Sequence, residues 1–509
     1  MIGALALLAM SVSNAKNPVI WADVPDTSIV RVGDAYYMSS TTMHMSPGLP
    51  IMKSKDLIHW RLVSYAYHTL GENDALTLQN GKNAYGKGSW ASSLRYRNGT
   101  FYVSTFSATT GKTYIFSTKN PEKTPWSEHS FSPSYHDNSL IFEDDGRVFL
   151  ATGAGDIRLV ELNANLSGPK PGGFDQVIVR NASRPAGEAI NLRAEGSQMF
   201  KVDGKYYLCN ITWPRNGMRT ELVHRADHIE GPYEGRIMFQ DQGVAQGGMV
   251  DTPGGKWYAY LFQDHGAVGR IPYLIPMKWE NGWPVVGAEG KVPEFLDIPA
   301  GGSTTSGIVA SDEFKKSELP LAWQWNHNPD DRFWSLRAHP GNLRLTTGRV
   351  DDSVVQARNT LTQRTFGPEC TGTTSLDVSG MKDGDFAGLI ALQNRYGYVG
   401  VKMSEGRKSI VMVGVGDQGP AERANVPLEG NRVFLRMACD FKRQADLAHF
   451  SFSLDGKRWT PIGEPHHLRY DLVHFMGCRF GLFNYATKTS GGFVDFDYFR
   501  IGDRLTSSN

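Results

Sequence analysis

Through residue 290 the apolar positions fall in short strand-like runs, and five of these runs follow one formula. Each opens on a marker residue, passes through a short apolar stretch to a Gly-containing turn, and restarts on an aromatic pair or its equivalent. PDTSIVRVGDAYYMSS carries Asp26 and the pair Tyr36-Tyr37, and WASSLRYRNGTFYVSTF carries Trp90 and Phe101-Tyr102. HDNSLIFEDDGRVFLATG carries Asp137 and Val148-Phe149, AEGSQMFKVDGKYYLCN carries Glu195 and Tyr206-Tyr207, and QGGMVDTPGGKWYAYLF carries Gln246 and Trp257-Tyr258. The gap from marker to pair is 11 residues in four copies and 10 in the first, and the markers lie 64, 47, 58 and 51 residues apart. A hairpin start repeated about every 50 residues predicts the blades of a five-bladed β-propeller, placed here over residues 16–298.

The pattern then changes. PAGGSTTSGIVASDEF is small and polar, and predicts a linker over residues 299–311. Strands resume without the repeat in FAGLIALQNRYGYVGVKM, RVFLRMACDF and GGFVDFDYFRIG, with a turn at Asp455-Gly456. This predicts an antiparallel β-sandwich of jelly-roll or concanavalin-like type over residues 312–509. The chain is therefore expected to be all-β.

A propeller gives the markers a meaning. Each blade's innermost strand lines the central channel, so equivalent positions on different blades converge on the axis. Asp26, Asp137 and Glu195 are expected to meet at one end of the channel, with Trp90 beside them. A single such carboxylate reads most simply as a turn cap. Three at one register of a repeat crowd like charges together, which points to a functional site.

Composition narrows the picture. The net charge is +1, so no electrostatic footprint for nucleic acid or an anionic membrane is present. The aromatic share is 11%, with 12 Trp, which supplies platforms for sugar rings as well as core. The opening MIGALALLAMSVSNA is apolar and then small, and reads as a signal peptide over residues 1–15, cut before Lys16, giving a secreted or periplasmic protein. No other stretch is long enough to insert in a membrane. Four cysteines are too few for a disulfide scaffold; buried thiols are the first reading of each, and a Cys439–Cys478 bridge is the alternative. Asp312 and Glu313 open the sandwich while Asp495 and Asp497 close it. If first and last strands pair, Asp312 and Asp497 fall together as candidate ligands of a structural calcium, against the simpler reading of solvated edge acids. The loop TTMHMSPGLP, residues 41–50, is expected to overhang the pocket.

NPVIWADVPDTSIVRVGDAYYMSS, HDNSLIFEDDGRVFLATG and AEGSQMFKVDGKYYL together resemble glycoside hydrolase family 43, over residues 17 to 290. The following sandwich is similar to the accessory domain of that family's β-xylosidase and α-L-arabinofuranosidase members. The resemblance implies a five-bladed propeller that hydrolyses xylan and arabinan ends and side chains with inversion, on a plant cell-wall oligosaccharide and with no required cofactor. It implies Asp26, in Pro25-Asp26-Thr27-Ser28, as general base, with Thr27 where the family has a second Pro. It implies Glu195, in Glu195-Gly196, as general acid. Asp137 is then the residue that tunes the acid's protonation and orients it; Asn138 replaces a common Pro. The chemistry needs these types, since inversion takes one carboxylate to activate water and one carboxylic acid to protonate the leaving oxygen.

Around this triad Trp90 reads as a stacking wall for the sugar, with plain packing as the alternative. Arg270 resembles the family's Arg that contacts sugar hydroxyls; a structural salt bridge is its rival. His265 resembles the axial His that meets a cation or water cluster in the channel, although a lone His is usually just hydrogen-bonded. The sandwich carries none of the carboxylates, so it is expected to matter for stability more than for chemistry. Two rival functions stand beside the glycosidase. A non-catalytic glycan-binding propeller has no use for a separated acid and base. A retaining fructosidase-like enzyme resembles an Asn-Asp-Pro-Asn-Gly opening, and no Asn flanks Asp26.

Overall fold

Two-residue turns set the blades. In Asn98-Gly99 and Asp203-Gly204 both residues take positive φ, which is the geometry that lets a hairpin follow the strands' own twist. From such hairpins the computed structural model, which describes residues 13–505, builds five four-stranded antiparallel sheets in chain order. The innermost strands are Ser28–Val32, Ser93–Arg97, Ser139–Phe142, Ile190–Val202 and Ala245–Asp251. Each packs against its neighbours around the axis, and the fifth closes on the first. Arg95 fills the channel. Its buried guanidinium donates to the carbonyls of Leu140 and Met199 and to Ser139 Oγ, tying blades two, three and four.

The boundaries of this ring differ from the expected ones. Asn14–Lys16 is a strand that pairs with Phe295–Pro299, and Ala15 is buried. A cut before Lys16 would remove most of that strand, so the fold already includes residues 13–15; residues 1–12 of the expected signal peptide lie outside the described residues. The expected linker is exposed over residues 301–303 and packs down near its end. Ile308 and Val309 are buried, and Leu62 N donates to Gly307 O.

The remaining strands form two packed antiparallel sheets, a sandwich. One has Glu369–Asp377 between Phe493–Gly502 and Arg432–Asp440. The other ends in a strand borrowed from the propeller, where Met45–Ser46 pairs with Gln324–Asn326. Residues 41–50 are therefore nearly all buried in the seam between the domains instead of overhanging a pocket. One apolar core runs across that seam. All four cysteines are buried and free, so the Cys439–Cys478 bridge is not formed; Cys370 is the residue directly opposite Cys439 on the neighbouring strand.

The calcium expected at Asp312 and Asp497 does not fit either. Asp312 does pair with the last strand, at Phe499. Its two carboxylate oxygens, however, accept from Phe314 N and Trp323 Nε1, both at 2.9 Å. Asp497 faces Arg432, Asp495 is held by Arg344 and His339, and Glu313 is held by Arg500. Oxygens already committed to N–H donors and cations leave no hard oxygen cage. Among the described residues no helix is long and apolar enough to cross a membrane.

Candidate active site

Asp26 and Asp137 sit just before their innermost strands and Glu195 lies within the fourth, but the repeat's register is not the one the spacing suggests. Leu94 N donates to Ser28 Oγ, Leu140 N to Ser93 Oγ and Met199 N to Ser139 Oγ. This ladder of identical bonds makes Ser28, Ser93, Ser139 and Gln198 equivalent. Two residues earlier stand Asp26, Ala91, Asp137 and Gly196, and three of these four have positive φ of 53, 45 and 66°. Trp90 and Glu195 are thus one place out of step with Asp26 and Asp137, and share their position with His136. The strand pairing shifts between Glu195 and Gln198, a bulge that Gly196 permits. Gly196 takes a φ of 66°, which favours glycine after Glu195, and a Cβ there would also displace the Gln246 side chain, whose Nε2 would lie 2.7 Å away. The spacing of 11 residues reflected longer turns in blades three and five rather than a common register.

Asp26 is buried beside Arg270, whose Nη1 lies 3.1 and 3.2 Å from its two carboxylate oxygens. Burial raises the Asp26 pKa above the ordinary value; the Arg270 charge opposes this, and Asp23 and Glu195 add to it. Arg270 is itself buried, and its Nη2 reaches the Phe475 carbonyl at 3.3 Å. Of the two expectations for Arg270 the structure shows the salt bridge, and its partner is the proposed base.

Asp137 lies deep. Its Oδ2 accepts from Gly196 N at 2.9 Å, and its Oδ1 is buried without a partner. Burial drives its pKa to about 7, against the lowering effect of His136, with Glu195 and Asp26 pushing the same way as burial. His136 was not anticipated. Its Nε2 lies 3.1 Å from Glu195 Oε2 and 3.6 Å from Asp137 Oδ2. Burial alone would lower the His136 pKa, but the Glu195 hydrogen bond and the Asp137 charge raise it. His136, Asp137 and Glu195 offer ligand atoms within 4.8 Å of one another, and are the one group of three or more possible metal ligands among the described residues. The signal for His136 was its place directly before Asp137, which reads as significant once the register is known.

Trp90 forms a wall. Its ring stacks on Phe475 at 5.4 Å and 26°, with Phe106 at 5.9 Å. His265 stands apart from the acids; it contacts Gln263 Oε1 and lies edge-on to Trp21, and it belongs to no cluster of possible ligands among the described residues. Phe475 revises the role given to the second domain. It comes from the sandwich, takes φ 52°, covers Trp90 and lies 4.6 Å beneath the Arg270 guanidinium. Asp23 anchors this segment, accepting from Gly477 N with one oxygen and from Arg270 N with the other. Nothing in the repeat pointed to Phe475 or Asp23.

Comparison with known proteins identifies both domains. Residues 15–284 match the family model described as glycosyl hydrolases family 43, and residues 311–502 match the one described as beta xylosidase C-terminal concanavalin A-like domain. A solved structure titled as a bifunctional GH43-CE protein of Bacteroides eggerthii is 58% identical, with a TM-score of 0.96 over 97% of this chain. The chain spans 64% of that protein's length. A β-xylosidase of Formosa agariphila is 26% identical over 95% of this chain and 89% of its own. A non-reducing end α-L-arabinofuranosidase of Bacteroides ovatus is 29% identical over 76% of this chain and 75% of its own.

Proposed function

The chain belongs to family 43 of the glycosyl hydrolases, and from that premise we propose that it releases L-arabinofuranose or D-xylose, with inversion, from ends or side chains of plant hemicellulose. The reading rests on one observation above all: a buried Asp26 clamped by Arg270 shares one end of the propeller channel with Glu195 and Asp137. Asp26 is the base that takes a proton from water. Glu195 is the acid that protonates the leaving oxygen, and Asp137 fixes the acid's backbone through Gly196 N. The Arg270 charge favours the ionised form that a base needs. The named relatives support the two sugars, and the non-reducing end activity of the Bacteroides ovatus relative supports action at chain ends. The apolar opening stretch and a polymeric substrate both fit export from the cytoplasm.

The test separates acid from base. Glu195→Ala removes the proton donor, which a nitrophenolate leaving group hardly needs and a sugar alkoxide does. A natural oligosaccharide should lose on the order of 10²–10⁴-fold in rate while an aryl glycoside loses far less. Asp26→Ala should depress both together. Proton NMR of the first product should show the opposite anomer to the substrate. Equal losses from Glu195→Ala, or retention, would overturn the assignment.

A further inference from the structure

Blade four rises above the others on the active-site face. Its innermost strand has 13 residues, against 5, 5, 4 and 7 in blades one, two, three and five. The extra length carries a second strand past the acid. Glu195 lies opposite Ile211, and Leu192 lies opposite Trp213. Two positions along a strand place Trp213 about 7 Å beyond the acid's neighbour.

Trp213 is 37% exposed and Met218, in the following turn, 41%. Both side chains present apolar surface to solvent on the strand and turn that run past the acid. Trp213 is also held in place. Its Nε1 donates to Gly217 O at 3.0 Å, so no polar group of the ring is left seeking water. Arg219 lies over the ring at 5.6 Å, and Arg219 is fixed by Asp264 at 2.6 Å. Asp264 ends the strand Trp257–Asp264, six residues before Arg270. A rigid aromatic, flanked by an oriented guanidinium, is the arrangement that stacks a sugar ring and binds its hydroxyls.

We propose that Trp213 is the platform for the neutral sugar ring on the leaving-group side of the scissile bond, with Arg219 binding that ring's hydroxyls. The inference rests on the reading of Glu195 as general acid. The acid protonates the leaving oxygen, so the leaving chain runs out past Glu195. Trp213 stands beyond the acid on the same pair of strands, while Trp90 and Phe475 close another side of the pocket. Trp213 is a specificity residue, not a catalytic one.

The experiment compares two substrates with the same released sugar, a glycosyl fluoride, which puts no ring on the leaving-group side, and an oligosaccharide, on wild type, Trp213→Ala and Trp213→Phe. Loss of one stacked ring predicts a rise of roughly 3–10-fold in oligosaccharide KM for Trp213→Ala, with glycosyl fluoride KM and both kcat values nearly unchanged. Trp213→Phe should recover part of the loss, and melting temperatures should stay together. An active wild type whose Trp213→Ala variant keeps the same ratio of KM values would overturn the inference alone. A wild type inert on both substrates would overturn the glycosidase reading and the inference with it.

Discussion

Asp26 and Arg270 show how two buried charges settle a protonation state. Burial pushes the Asp26 carboxyl up, and the guanidinium holds it down. The acidic limb of kcat/KM should therefore lie above the ordinary aspartate range and move further up in Arg270→Lys, which keeps a charge but loses the two-oxygen contact. A pH–rate profile of both proteins checks this; an acidic limb that falls would contradict the pairing. Asp137 gives a matching stability prediction. Its folded pKa, near 7, exceeds the unfolded value of about 3.9, so the folded state binds the extra proton and stability is lost as pH rises through that window. Asp137→Asn cannot ionise, so its melting temperature should gain on wild type between pH 4 and 7 and keep the gain above it. Residue types were legible in the sequence at this scale, but partners were not. Asp26, Asp137 and Glu195 announce themselves as repeated acids. His136 is hidden because the longer turn of blade three displaces the apparent register, which only the serine ladder reveals.

The element that changes the chemistry is a loop, not a blade. Phe475 reaches the pocket on a segment tied down by Asp471, whose carbonyl accepts from Phe475 N, and by Asp23, which accepts from Gly477 N. Asp23 takes two N–H donors, one from each domain, and an amide cannot replace it without turning one acceptor into a donor. Asp23→Asn should raise KM several-fold and destabilise the chain by about 1–3 kcal/mol. The pair can be tested for coupling. If Asp23 acts on substrate through Phe475, then Asp23→Asn combined with Phe475→Ala should be no worse in kcat/KM than Phe475→Ala alone. Additive losses would show that Asp23 acts through Arg270 instead. The blades themselves were readable because a strand–turn–strand unit repeats in residue type. This loop repeats nothing, and its contacts span some 450 residues of sequence from Asp23 to Gly477, so periodicity carried no trace of it.

At the scale of the whole molecule the two domains share one apolar core, and their seam contains a group of buried histidines. His44 comes from the propeller, His327 and His474 from the sandwich. The rings of His44 and His327 lie 4.5 Å apart, and His474 stacks on the propeller's Tyr85 at 4.0 Å. His474 directly precedes Phe475, so the same seam positions the pocket wall. Burial pushes all three pKa values down, that of His474 to about 3, with Arg479 and the histidines' own mutual repulsion adding to it. Around them Asn326 and Tyr85 supply neutral contacts, and among the described residues no carboxylate contacts the three rings. Unfolded histidines titrate near 6.5, so below that pH the unfolded state binds protons the folded state refuses, and stability falls as pH falls. Melting temperature should therefore decline steeply from pH 6.5 towards 4, together with the closure of the pocket by Phe475. His474→Phe keeps a ring against Tyr85 and removes one titrating site, so its decline should be shallower while its melting temperature at pH 7 stays within a few degrees. The same seam means that ending the chain near Val309 should leave a poorly soluble propeller, because the core it shares with the sandwich is exposed and the edge strand Met45–Ser46 loses its partner. Differential scanning calorimetry across pH on the full chain and on His474→Phe reads the slope directly. Parallel slopes for the two proteins would mean that the acid sensitivity does not arise at His474.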